Sequence, residues 1–115
     1  MSFGVDVNLL LYASDSSCPQ HERASTFLSD CAVNGQVFCL AWLTLMSYLR
    51  MATHPRIFTR PLTQQTAMGN VEALMALPHW RVIGEQAGFW AVYQQITADV
   101  PTRGNLVSDA HLAAI

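Results

Sequence analysis

Three short apolar runs, at residues 2–6, 36–40 and 80–83, are separated by stretches whose apolar residues recur at helical spacing. This alternation constrains the fold more than any other feature. A strand that rejoins its sheet after a helical crossover runs parallel to its neighbour. The pattern βααβα…αβαα therefore predicts an α/β domain of three layers, with a central parallel sheet and helices on both faces. At 115 residues the chain is expected to be one domain, 1–115.

Local signals place the elements. Val7 to Ala13 is too apolar for a surface loop and reads as one or two turns of helix. A second helix follows Pro19, with Ala24, Phe27, Leu28 and Cys31 on its apolar stripe and Asn34-Gly35 as its stop. The spacing predicts a helix over 44–53, with Leu45, Tyr48, Leu49 and Ala52 turned inward, ended by Pro55. Thr63 is expected to cap a helix reaching Leu77, with Val71, Leu74 and Met75 on its core face. A helix over 86–97 is expected to bury Phe89, Trp90, Tyr93 and Ile96, and Asn105 to cap a last helix with the stripe Leu106, Ala110, Ala113 and Ala114.

Composition narrows the function classes. The hydrophobic fraction is 51% and the charged fraction 12%, against a usual ~25% charged. So much apolar surface is to be hidden in a core and, by expectation, in a partner. No apolar run approaches the ~18 residues of a membrane helix, and the reading is a cytoplasmic protein without a membrane partner. Cys18, Cys31 and Cys39 contain no CxxC pair and read as reduced, partly buried thiols. With a net charge of −2 the whole chain is no general binder of nucleic acid. Its cations are nevertheless all arginines, and Arg50, Arg56 and Arg60 fall within eleven residues. Arginine suits bidentate contact with phosphate, whereas a single exposed arginine is ordinary surface charge. Trp42, Trp80 and Trp90 read as core residues rather than as platforms for stacked bases.

Two acids stand where an open α/β sheet places its ligands. Asp6 ends the first apolar run, and ligands of such sheets bind at the carboxyl ends of strands. Asp109 lies on the border of the last helical stripe, in a position suited to lining a cleft. If Asp109 folds back beside Asp6, the two carboxylates predict an oxygen-rich site for a hard divalent cation. Taken alone, each acid has a plainer reading. Asp6 is a helix cap, and Asp109 is favoured by a helix dipole. His111 is near enough in sequence to approach a phosphate but reads as an exposed helix residue, and His21, His54 and His79 have no ligand spacing.

Four segments carry a resemblance: GVDVNLLLYA, SYLRMATHPRIF, LTQQTAMGNVEALMALPHWRVI and GNLVSDAHLAAI. The chain resembles the PIN-domain family and, within it, the VapC toxins of prokaryotic toxin–antitoxin systems. The first and last segments are the most specific. Members open with a strand ending in aspartate, then an Asx and an apolar helix, and later carry an aspartate in a helix of the DAxLAA type. The resemblance implies a Mg²⁺- or Mn²⁺-dependent endoribonuclease, commonly a homodimer, restrained by a cognate antitoxin. It implies Asp6 and Asp109 as catalytic and metal-binding acids, with Asn8 as a polar residue beside them. Arg50 and Arg56, with Arg60, become candidates for RNA phosphates or for antitoxin contact.

Two departures bear on activity. The family's second acid aligns with Ser47, which brings no charge and is expected at most to hold a metal-bound water. The chain also stops where members continue into a further strand and an acidic loop carrying a fourth acid. The expectation is thus a fold lacking its last strand, either as a fragment or with the first strand's edge paired to another chain. The alternative function is a catalytically impaired PIN-like binding module acting through protein partners. An unrelated receiver-type domain fits less well, because such domains carry paired acids after the first strand and a late lysine, and this chain has no lysine.

Overall fold

The sequence alternation becomes nine elements in a computed structural model, which describes residues 2–33, 37–58 and 60–115. They are β1 (Ser2–Gly4), α1 (Val7–Ser14), α2 (His21–Val33), β2 (Val37–Ala41), α3 (Trp42–Ala52), α4 (Gln64–Met75), β3 (Trp80–Ile83), α5 (Phe89–Thr97) and α6 (Asn105–Ala114). The expected stop at Asn34-Gly35 and the start of the second run at Gln36 lie outside the described residues. The chain forms two compact units, Met1–Val82 and Ile83–Ile115.

The strands lie in the order β1-β2-β3. β1 and β2 are parallel, with Ser2, Phe3 and Gly4 opposite Val37, Phe38 and Cys39. The pairing continues through Val5 N–H to Cys39 O at 3.1 Å, and Phe38 N–H reaches across to His79 O at 2.9 Å. The parallel α/β arrangement read from the alternation is therefore present. Phe38 and Leu40, two residues apart and so on one face of β2, are both buried. Phe38 stacks on Trp80 with ring centroids 5.2 Å apart. Leu10 and Leu11 of α1, Leu45, Tyr48 and Ala52 of α3, and Ala67 and Val71 of α4 close the same core.

The helix ends follow local chemistry, with several corrections. Thr63 caps α4 as expected, its side chain accepting from Thr66 N–H at 3.1 Å. Leu62 N–H bonds to Ala52 O at 2.9 Å and returns the chain to the end of α3. α3 begins at Trp42 rather than at 44, directly after β2, because no breaker stands between them. Its buried stripe is Thr44, Leu45, Tyr48 and Ala52, and Leu49 is only half-buried. Met75, expected in the core, is exposed near the end of α4, and Ala67, two turns earlier, packs inward instead.

In the second unit, α5 starts at Phe89, after Gly88 at φ +89, three residues later than expected. α5 has no buried residue, and Trp90 and Ile96 are exposed. Asn105 does not cap α6. Gly104 takes the cap position at φ +55 and ψ −126, a backbone conformation that favours glycine, so Asn105 becomes the first helical residue. The α6 stripe is correspondingly shallow. Ala114 is buried, but Leu106 is half-exposed and Ala113 is exposed. Among the described residues no helix is long and apolar enough to cross a membrane.

Candidate active site

Asp6 sits two residues beyond β1 and is the N-cap of α1, with φ −80 and ψ 150. Its backbone opens the helix, with Leu9 N–H reaching Asp6 O at 3.2 Å, but its side chain makes no capping bond. The plain reading of Asp6 as a side-chain helix cap is thus not what the structure shows. The carboxylate is exposed at the carboxyl end of β1, with its oxygens not engaged in the cap. Asn8 is exposed in the first turn of the same helix. No other acid stands in that turn.

Ser47 is half-buried midway along α3, a helix whose sequence contains no acid. Arg50 is exposed in the last turn of α3, where a cation complements the helix dipole. Arg56 is exposed just beyond, and its backbone N–H donates to His54 Nδ1 at 3.1 Å. Thr53 closes the helix by donating from Oγ1 to Leu49 O at 2.7 Å. Arg60 is exposed after the Pro55 turn. Asp6, Asn8, Ser47, Arg50 and Arg56 all belong to the first unit.

Asp109 belongs to the second unit and is exposed on α6. It borders a shallow cavity of about 280 Å³ shared with Ile96, Val100, Leu106 and Ala113. His111, one half-turn on and expected as an exposed helix residue, is half-buried. Its Nε2 lies 2.5 Å from Glu85 Oε1 and its ring packs on Phe89, with centroids 4.9 Å apart. A backbone hydrogen bond at Glu85, joined by the bond from His111, holds that carboxyl below its ordinary value. His111 is therefore occupied by its own unit.

Among the described residues no three His, Cys, Asp or Glu side chains gather as metal ligands. The donors on offer are carboxylate oxygens in small number. That set suits Mg²⁺, which takes oxygen ligands and keeps several waters, and does not suit zinc, which favours Cys and His. The three cysteines are free thiols, and burial, with Asp30 nearby, raises the Cys31 thiol above its ordinary value.

Two features escaped the sequence. Ser14 Oγ lies 2.6 Å from the Tyr48 hydroxyl, which also accepts from Asn70 Nδ2 at 3.0 Å. The three residues border a cavity of about 390 Å³ with Leu10, Leu28 and Leu74. Ser14 and Tyr48 are separated by 34 positions and Tyr48 and Asn70 by 22, so no local spacing signals them. The second feature is Trp42. It was expected in the core, as Trp80 is, yet it is 48% exposed, and Trp90 is 64% exposed.

The comparisons with known proteins agree with this architecture. No family model matches the chain. Ribonuclease VapC48 of Mycobacterium tuberculosis is 38% identical over 115 residues, which is all of this chain and 79% of that protein. Ribonuclease VapC43 of the same organism is 34% identical over 110 residues, covering 96% of this chain and 75% of that one. Among solved structures, M. tuberculosis VapC20, a sarcin-ricin loop cleaving toxin, superposes with a TM-score of 0.70 at 12% identity, over 99% of this chain and 79% of that one. VapBC2 from Rickettsia felis, bound to a DNA fragment from its promoter, superposes with a TM-score of 0.58 at 12% identity, over 99% of this chain and 81% of that one. At these identities the structural matches speak for the fold, and it is the curated sequence relatives, aligned from end to end of this chain, that place it in the VapC ribonuclease family.

Proposed function

We propose that the chain is the toxin of a VapBC-type pair, an endoribonuclease that hydrolyses RNA phosphodiester bonds using Mg²⁺ or Mn²⁺. Residues 1–115 act as one PIN-like domain, and Asp6 and Asp109 hold the cation, with Asn8 and Ser47 as polar neighbours. The observation that carries the reading is Asp6: a carboxylate at the carboxyl end of β1, opening α1 without spending its side chain on the cap. A helix cap was the plainer role for this residue, and its side chain does not perform it. Family membership carries the ribonuclease activity, and it disfavours the alternative of a disabled binding module.

When bound, the cation lowers the pKa of an attacking water and offsets charge on the phosphate oxygens. The chain's own residues supply the rest. Asp6 and Asp109 bring negative charge to one cation, Asn8 orients by hydrogen bonding, and Arg50 and Arg56 hold RNA phosphates away from the scissile bond. Phosphate contacts of this kind fix position without reading sequence. The partners that go with this reading are an RNA substrate, a cognate antitoxin and a second copy of the chain, in the cytoplasm.

The direct test is cleavage of structured RNA by the purified chain. Cleavage is expected in millimolar Mg²⁺ or Mn²⁺, lost in EDTA and restored by excess cation. Cleavage that persists at full rate in EDTA rules out the metal-dependent reading. A second expectation concerns the arginines. Arg50→Ala and Arg56→Ala each weaken RNA binding and reduce the slope of log K against log salt by about one, the signature of one lost phosphate contact. A slope unchanged in both variants removes those residues from the RNA surface.

A further inference from the structure

His54 follows the end of α3, and its ring Nδ1 accepts from Arg56 N–H at 3.1 Å. A side-chain acceptor that reaches the amide two residues on is the bond asparagine or aspartate ordinarily makes in a turn. Histidine makes it here and brings a second nitrogen that the turn does not use. A backbone amide only donates, so Nδ1 is bare and the ring proton sits on Nε2. Backbone bonds hold the same turn. His54 N–H donates to Met51 O at 3.2 Å, and His54 O accepts from Ile57 and Phe58 N–H, each at 3.1 Å. Phe58 is buried in the core, and the ring of Pro55 locks its φ. Among the described residues Nε2 has no partner, and the buried side-chain donor left without one is Trp80 Nε1, so Nε2 of His54 opens to solvent.

The neighbouring charges are all of one sign. The eight acids stand at positions 6, 15, 22, 30, 72, 85, 99 and 109, so residues 31–71 contain none. That stretch holds Arg50, Arg56 and Arg60, half of all the cations in the chain, and all three are exposed. We propose that His54 is a further substrate-binding residue, its Nε2–H donating to a backbone phosphate oxygen of the RNA, in addition to the phosphates held by Arg50 and Arg56. This role presupposes the ribonuclease reading and adds to it a contact made without charge. The donor set selects the occupant. Guanidinium groups and an Nε2–H offer donors and no acceptor, and the oxygens of a phosphodiester only accept. The bond to Arg56 N–H fixes the tautomer before RNA arrives, so no proton has to move for the ring to donate. The same bond ties the backbone of Arg56 to the ring, so the two contacts are set relative to each other by one turn.

The discriminating variant is His54→Asn. Its Oδ1 can still accept from the amide two residues on, while its amide nitrogen ends one bond short of the place that Nε2 occupies. Binding of an RNA hairpin is followed by fluorescence anisotropy across a salt series, at about pH 8, where an ordinary histidine is neutral, and in EDTA so that the RNA is not cut. His54→Asn is expected to weaken binding about fivefold, the scale of one hydrogen bond. Its slope of log K against log salt is expected to stay at the parent's value, because a neutral donor displaces no counterion, whereas loss of an arginine contact lowers the slope by about one. A thermal melt near the parent's shows that the turn survives. A second measurement needs no variant to fold: in long-range ¹H–¹⁵N spectra of the parent, the His54 ring is expected as the Nε2–H tautomer, and its Nε2 resonance is expected to move when the hairpin is added. Affinity within twofold of the parent's overturns the assignment, as does a salt slope that falls with the substitution. An Nε2 resonance unmoved by saturating hairpin overturns it whatever the variant does. A parent that binds no RNA brings down the ribonuclease reading as well; a parent that binds while His54 stays indifferent brings down this contact alone.

Discussion

Replacing Asp6 by asparagine is expected to reduce RNA cleavage by about a thousandfold or more while leaving the fold intact. A thousandfold loss corresponds to ~4 kcal/mol of lost transition-state stabilisation. Asparagine keeps the shape of the side chain and one carbonyl oxygen but removes the charge that a hard cation requires. The fold is spared for two reasons. Asp6 is exposed and its side chain makes no capping bond, and asparagine is as good an N-cap as aspartate. Stability is therefore expected to stay within ~0.5 kcal/mol of the parent, as for ordinary surface substitutions. Asp109→Asn is expected to match it, since that side chain is also exposed.

The informative variant is the double one. Two groups that act on one cation work as a unit, and removing the second adds little once the first is gone. Asp6→Asn combined with Asp109→Asn is thus expected to be no slower than either single variant. Multiplied losses would mean two independent roles and would remove the shared-cation reading. A thermal readout independent of activity accompanies it. Mg²⁺ at about ten times its Kd is expected to stabilise the parent by about 1.4 kcal/mol through mass action, and either single variant to lose that response. A parent whose melting temperature ignores millimolar Mg²⁺ has no formed cation site.

What was legible in the sequence was the part governed by near neighbours. The run at 36–40 announced β2 because Val37, Phe38, Cys39 and Leu40 are all apolar, and in the structure Phe38 and Leu40 are buried. Thr63 announced the start of α4 because its hydroxyl meets Thr66 N–H, a contact of three residues. Asp6 was legible as an acid at a strand end, and its flanks carried the family resemblance that the relatives bear out. Errors arose where neighbours were silent. Nothing local separates Ala41 from Trp42, so α3 was read as starting two residues late and Trp42 was assigned to the core. Met75, Trp90 and Ile96 have apolar side chains at helical spacing, but periodicity gives the face of a helix and not whether anything covers it. The Gly104 cap was missed because Asn105 has the better capping side chain, while the backbone there takes a positive φ that glycine tolerates. Asp109 stood out only through the motif around it, since an acid on the border of a helical stripe is otherwise ordinary surface charge.

Tyr48 is the position where the largest loss of stability is expected. It is 1% exposed, among the largest fully buried side chains, and belongs to the core formed with Phe38, Leu40 and Leu45. Truncating a buried aromatic side chain to alanine costs about 3–5 kcal/mol, through lost transfer free energy and the cavity left behind. A chain of this size is stable by only ~5–15 kcal/mol in total, so Tyr48→Ala removes a large share of it. The expected loss lies toward the lower figure, about 3 kcal/mol, because Tyr48 borders an open cavity and solvent can fill part of the gap. Tyr48→Phe separates packing from hydrogen bonding. It keeps the ring and deletes the hydroxyl that meets Ser14 Oγ and Asn70 Nδ2. Ser14 is half-buried and Asn70 exposed, so both can turn to water. The cost is then that of one or two ordinary hydrogen bonds, about 1 kcal/mol. Urea denaturation of the three proteins is expected to rank them parent, Tyr48→Phe, Tyr48→Ala, with unchanged m-values. Ser14→Ala added to Tyr48→Phe should cost less than the sum of the two, because the pair shares one bond. If Tyr48→Phe proves as damaging as Tyr48→Ala, the hydroxyl network rather than the ring holds α1, α3 and α4 together, and the packing account of this core is wrong.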